Sequence, residues 1–278
     1  MKLFPLKILN AMMLSTCSGV LSLGLVSCSD VLTSLDQIDN PYRYKAIFRV
    51  KDKQIPVNFI LQPEQLNAYG LRLRIIDGPI LNQLEHPRIT HDTLYVPLDL
   101  HQTRSLKALM TTEHLKGELL TADADKQVLI TPFTAYRSNK PRFDLPESYT
   151  DISATGTWTI QTALVDSTAY YVPLLSTTEK IYLYQTAASL IGSHTRDLGY
   201  DGVMTSDGFV LSSFTKARPI LVEATYTDQN TITGSITTDS ETYSFTGKRN
   251  SQLKKASDTS KSVFNLLRGL FGAYQEHK

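Results

Sequence analysis

Residues 207–250, DGFVLSSFTKARPILVEATYTDQNTITGSITTDSETYSFTGKRN, read as strands and turns in alternation: FVLSSF, PILVEATYT, TITGSITT and ETYSFTGKRN, separated by DQN and DS. Residues 92–139 follow the same plan with TLYVPLDL, RSLKALMTT, LKGELLT and QVLITPFTAYRSN. Arg104 pairs with Arg218, Gly117 with Gly234 and Arg137 with Arg249, at offsets of 114, 117 and 112, so the copies differ by short insertions at turns. A stretch repeated at this length marks one structural unit built twice.

The remainder of the body carries the same signal. Tyr44, Ala46, Phe48 and Val50 alternate with Lys45, Ile47, Arg49 and Lys51, and after the turn at Asp52-Lys53 Ile55, Val57, Phe59 and Leu61 alternate again. Period-two patterning puts one face on a core and one toward water. Leu71, Leu73 and Ile75 continue into the Asp77-Gly78 turn. A first module over 42–146 thus gains seven or eight antiparallel strands, and Pro141 and Pro146 mark its end. A second module, 147–250, runs through TWTIQTALV, AYYVPLL and KIYLYQTA and a turn-rich 192–202. The expected fold class is all-β: two tandem antiparallel meanders, each a small lipocalin-like barrel or a sandwich.

Met1 to Ser27 reads as a signal peptide, with Lys2 and Lys7 before an uncharged run from Ile8 to Val26. Its end, Leu25-Val26-Ser27-Cys28, resembles the bacterial lipobox, which implies an acylated Cys28 as the new N-terminus and, with Ser29 next, sorting to the outer membrane. Residues 28–41 are then a tether. Cys17 leaves with the signal and Cys28 carries lipid, so the mature chain would hold no free thiol and no disulfide. Removing Lys2 and Lys7 leaves 26 basic against 27 acidic residues, with no basic block, which argues against a nucleic-acid partner.

TWTI at 157–160, RDLGYDGVM at 196–204, FVLSSF at 209–214, ITGSITT at 232–238 and SFTGKRN at 244–250 resemble the N-terminal region of TlpA-like thiol-disulfide oxidoreductase lipoproteins. IPVNFIL at 55–61, RIIDG at 74–78, DTLYVPL at 92–98 and ITPFTAYR at 130–137 fit the same region, with Tyr44 where that family often shows Trp. The resemblance covers about residues 42–250 and implies the family's all-β accessory region without its thioredoxin-like domain and Cys-x-x-Cys pair.

Candidate chemistry is sparse. His86 and His91 flank Pro87 and share no strand face, so loop histidines outweigh a metal site. Asp123 and Asp125 lack the glycine and glutamate of a calcium loop. Ser193-His194 beside Asp197 has no nucleophile elbow. Asp197, Tyr200 and Asp201 form a weak ligand-mouth candidate beside Gly199 and Gly202, though a tight turn explains them better. Past 250, Val263, Phe264, Leu266, Leu267, Leu270, Phe271 and Tyr274 share one face at 100° per residue, an amphipathic helix. Phe264, Leu267, Leu270 and Phe271 are its partner-binding candidates, for the body, a membrane or another protein. The expected function is that of a non-enzymatic binding or docking protein of the envelope with no cofactor. The alternatives are an accessory to a separate thioredoxin-like protein, or a carrier of a small apolar ligand in an empty barrel.

Overall fold

The computed structural model describes residues 42–250 except 64–70, 79, 85–86, 100–102, 123–126, 163–177, 196–197 and 216. Cys28 and the helix candidates Phe264, Leu267, Leu270 and Phe271 lie outside the described residues.

All regular structure among the described residues is β, in two antiparallel sheets. The first contains β1 (Tyr42–Val50), β2 (Lys53–Pro63), β3 (Leu71–Asp77), β4 (Ile80–Leu84), β5 (Arg88–Thr90), β6 (Thr93–Pro97), β7 (Arg104–Met110), β8 (His114–Ala122) and β9 (Val128–Arg137). Their order is β4-β3-β2-β1-β9-β8-β7-β6-β5, an open half-barrel. The second contains β10 (Gly156–Thr162), β11 (Glu179–Thr186), β12 (Ser189–Thr195), β13 (Leu198–Met204), β14 (Gly208–Thr215), β15 (Arg218–Asp228), β16 (Thr231–Thr238) and β17 (Thr242–Arg249). It is a closed up-and-down barrel, β17 pairing back onto β10 from Trp158↔Arg249 to Thr162↔Phe245. Closure leaves this sheet no edge to protect. The half-barrel keeps β4 and β5 as edges.

The duplicated stretch occupies equivalent places: β6 to β9 lead into β1 as β14 to β17 lead into β10. Each matched residue has a physical role. A Cβ on Gly117 would collide with the Lys107 carbonyl, and one on Gly234 with the Glu223 carbonyl, so the neighbouring strand passes too close for any side chain. Arg137 stacks 3.8 Å over Tyr42 and Arg249 4.6 Å over Trp158, each arginine covering an aromatic ring of the adjoining first strand.

Residues 192–202 are a departure from the expected turn. Residues 192–195 belong to β12 and 198–202 to β13, and the glycines there make room: a Cβ on Gly192 would sit 3.2 Å from both Leu183 and the Tyr200 side chain. Among the described residues the half-barrel has nine strands where seven or eight were expected, because β4 pairs with β3 and the short β5 forms a hairpin with β6.

The concave face of the half-barrel holds Tyr44, Ala46, Phe48, Ile55, Val57, Leu61, Leu73, Val96, Leu115 and Leu119, all buried. The barrel interior is filled by Trp158, Leu183, Leu190, Tyr200, Met204, Leu211, Ile232 and Ile236, as expected when eight strands leave just enough room for side chains. The two cores meet. In β14, Phe209 and Leu211 point into the barrel, while Val210 and Phe214 point outward and pack with the half-barrel core. Phe214 and Leu221 of β15 are 3% and 4% exposed, and the Phe214 ring lies 5.4 Å from Phe48. The outer side of β14 and β15 therefore covers one end of the half-barrel.

Candidate functional site

The hairpin between β3 and β4 turns at Gly78, whose φ of +56° suits glycine. A Cβ there would also come within 2.6 Å of the Tyr200 carbonyl oxygen, so the turn is pressed against β13 of the barrel. This contact carries Asp77 into the junction, where it is fully buried. Burial pushes the Asp77 carboxyl above its ordinary range, against the opposing pull of the Arg142 guanidinium and the Phe214 N–H.

Arg142 comes from the segment between the sheets and is 3% exposed. Its Nη2 pairs with Asp77 Oδ1 at 2.9 Å and donates to the Ile76 carbonyl. Its Nη1 donates to the Ser212 carbonyl at 2.7 Å, and Nε lies 3.5 Å from Asp201 Oδ2. Asp77 also accepts from the Phe214 N–H at 3.0 Å, and Ser212 Oγ donates to the Pro56 carbonyl at 2.7 Å. One guanidinium thus ties β3, β13 and β14 together. Lys53 and Glu223 pair across the same junction at 2.8 Å. On its far side, Thr121 Oγ1 donates to the buried Asp239 carboxylate at 3.2 Å, and Arg218 Nε approaches it at 3.7 Å. Arg104, the repeat mate of Arg218, is held below its ordinary range by burial and then by the Arg218 charge.

Directly over this network lies a groove of about 440 Å³. Ile60, Ile76 and Leu81 form one wall, Pro141, Phe143 and Leu145 the rim, and Val203 and Gly202 the barrel side. Arg43, Asn58, Lys140, Arg142 and Asp201 supply its polar groups. Leu81 and Leu145 are 50% and 61% exposed, and Asn58 Oδ1 is buried without a hydrogen-bond partner among the described residues. A mainly apolar cleft with a few fixed polar groups, between two structural units, has the size and makeup of a ligand or partner site. Among its described lining residues there is no histidine or cysteine.

Of the three sequence candidates, Asp201 lines this groove. Tyr200, its neighbour on a strand, points the other way and is fully buried in the barrel core, so the two cannot share one mouth. Asp197, like His86, Asp123 and Asp125, lies outside the described residues. His91 sits in the β5–β6 turn with φ of +56°. Asp77 and Arg142 were not singled out from the sequence as site residues: an Asp-Gly pair reads as a turn, and an arginine between prolines reads as a linker. Their meeting depends on packing across 65 positions.

No protein-family model matches the chain, and no curated protein matches it significantly. Three solved structures show partial likeness. A candidate outer membrane protein from Bacteroides fragilis is 12% identical, covering 77% of this chain and 99% of that one at a TM-score of 0.24. A protein of unknown function from the DUF3598 family of Nostoc punctiforme is 10% identical, covering 78% of this chain and 97% of that one at 0.26. MucB in complex with MucA is 12% identical, covering 81% and 94% at 0.14. These scores are too low to bear on fold or function.

Proposed function

We propose that this chain is a lipid-anchored, non-enzymatic binding protein of the bacterial envelope, with the junction groove as its binding site. The observation that carries this reading is the rigid floor beneath an exposed apolar rim. The groove's base is fixed by the buried Asp77–Arg142 pair and by Ser212 and Phe214, while Leu81 and Leu145 stand open to solvent. A preorganised floor lowers the ordering cost of binding. Asn58 and Asp201 offer acceptors and Arg43 and Lys140 offer donors, which suits an amphipathic ligand or a partner's exposed loop.

The carrier alternative needs an empty barrel, and the interior here is occupied by Trp158, Tyr200, Met204 and their neighbours. The anchor at Cys28 and the envelope address rest on the sequence ending Leu25-Val26-Ser27-Cys28. The redox-accessory role rests on the TlpA-like resemblance alone.

The test is purification of the intact protein from its own envelope, beside Leu81→Glu and Leu145→Glu variants of it. A component that co-purifies in fixed ratio with the parent chain and is lost from both variants supports the groove. Retention of every co-purifying component by both variants contradicts it.

A further inference from the structure

The half-barrel has an outward face that the overall charge balance hides. On β1 three of the four outward positions, Arg43, Lys45 and Arg49, are cationic, Ile47 being the fourth and Lys45 lying 3.5 Å from Asp144, and Lys107 and Lys116 follow on β7 and β8. The one carboxylate on the outward positions of β7 to β9 is Glu118, directly opposite Lys107. Large exposed apolar side chains stand on β7 and β9 of the same surface. Leu109, Ile130 and Tyr136 are 53%, 52% and 54% exposed, and Val128 is 56% exposed at the strand's start. The cross-strand pairs Leu109↔Lys116, Lys116↔Thr134 and His114↔Tyr136 show that cations and apolar groups interleave on one surface. Arg49, Lys107, Lys116 and Leu109 border a shallow groove of about 410 Å³ within it.

Exposed apolar groups of this size gathered on one face mark an interaction surface, and the charge around them selects an anionic occupant. Lysine and arginine stems also lie along apolar material while their heads reach phosphates. The tether favours a bilayer over other anions. Fourteen residues, Cys28 to Pro41, precede Tyr42 and span at most about 45–50 Å, so a lipid on Cys28 keeps β1 and the adjoining β9 near the membrane.

We propose that the outward face of β7 to β9 docks on an anionic phospholipid surface, with Arg49, Lys107 and Lys116 at the level of the lipid phosphates and Leu109, Ile130 and Tyr136 entering the interface. This rests on the envelope reading for the anchor, but apart from Arg43, which lines the junction groove, the docking residues of β7 to β9 and Arg49 are distinct from that groove's lining.

The experiment uses the full chain purified from its membrane, with a cysteine introduced by Ile130→Cys or, as control, Thr233→Cys on the barrel, each bearing an environment-sensitive fluorophore. Vesicles of phosphatidylethanolamine and phosphatidylglycerol, with a quencher on the acyl chains, are compared with phosphatidylcholine vesicles. Expected is quenching at 130 but not at 233, confined to the phosphatidylglycerol vesicles. Lys107→Ser and Lys116→Ser should each lower the docked-to-undocked ratio about fivefold, with unchanged circular dichroism. Protein that floats with both vesicle types while the 130 probe stays aqueous overturns the docking and leaves the anchor intact. Flotation only with phosphatidylglycerol, with quenching at 130, supports the face and removes the anchor. Flotation with neither overturns both. Cross-links between copies at position 130 in place of lipid quenching assign the face to a second copy and overturn the proposal.

Discussion

Replacing Arg142 by methionine keeps most of the side chain's length and removes its charge. The variant strands Asp77, whose side chain is fully buried, without the guanidinium 2.9 Å away. It also leaves the Ile76 and Ser212 carbonyls without their arginine donor. Breaking a buried ion pair from one side costs about 3–5 kcal/mol, a large part of the ~5–15 kcal/mol that holds a typical domain. Asp77 can escape part of this cost by taking a proton. Its carboxyl already lies above the ordinary 3.8 through burial, and losing Arg142 removes the opposing charge. A raised folded pKa means that the native state holds a proton the unfolded state has released. The stability from this group is therefore fully present below the ordinary carboxylate range and is lost as pH rises through the raised value. The defect of Arg142→Met should accordingly be smallest near pH 4 and grow by up to about 1.4 kcal/mol per pH unit. Asp77→Asn on the Arg142→Met background should recover part of the loss at pH 7 and flatten that dependence. Urea unfolding reads this through circular dichroism for both sheets and through fluorescence of the single tryptophan, Trp158, for the barrel. A variant within about 0.5 kcal/mol of the parent, the range of an ordinary surface change, or a defect that is flat with pH, shows that Arg142 does not compensate a buried Asp77 carboxylate.

Phe214→Ala should cost about 3–5 kcal/mol and shift both unfolding signals together, since Phe214 belongs to barrel β14 yet packs with the half-barrel core; a shift in only one signal contradicts a shared core. Limited proteolysis should cut at the exposed stretch 147–149, and the fragments should still co-elute because Arg142 and Phe214 hold them; separation into two free folded pieces counts against that. Cys28→Ser should abolish palmitate incorporation, and normal labelling of that variant removes the lipidation reading. Deleting 260–278 should raise hydrophobic-dye binding while the β signal persists; unchanged dye binding and thermal stability mean that the segment was never docked on the body.

Period-two alternation made the strands legible, and the residues it assigned inward, such as Phe48, Ile55 and Val57, are buried. It also separates Tyr200 from Asp201, a consequence obscured by reading the glycine-rich 192–202 as turns. The double-sided burial of β14 has a sequence trace: FVLSSF carries apolar groups at both parities, unlike a strand with one wet face. The cationic face was accessible in the same way. Arg43, Lys45 and Arg49 fall on one parity of β1, while a whole-chain count averages them against acids elsewhere. What local pattern could not supply is the pairing of Asp77 with Arg142, because neither has a neighbour in sequence that specifies the other. Nor could it show that the first sheet stays open while the second closes, since that depends on which edges meet.

The most direct test of the groove is site-specific photo-cross-linking in living cells, with a photoreactive amino acid placed in turn at Leu81, Leu145 and, on the far barrel surface, Thr233. Positions 81 and 145 should capture the same discrete species, position 233 should not, and Arg142→Met should weaken the capture by loosening the floor. Capture of the same species at all three positions, or at 233 alone, contradicts binding in the groove.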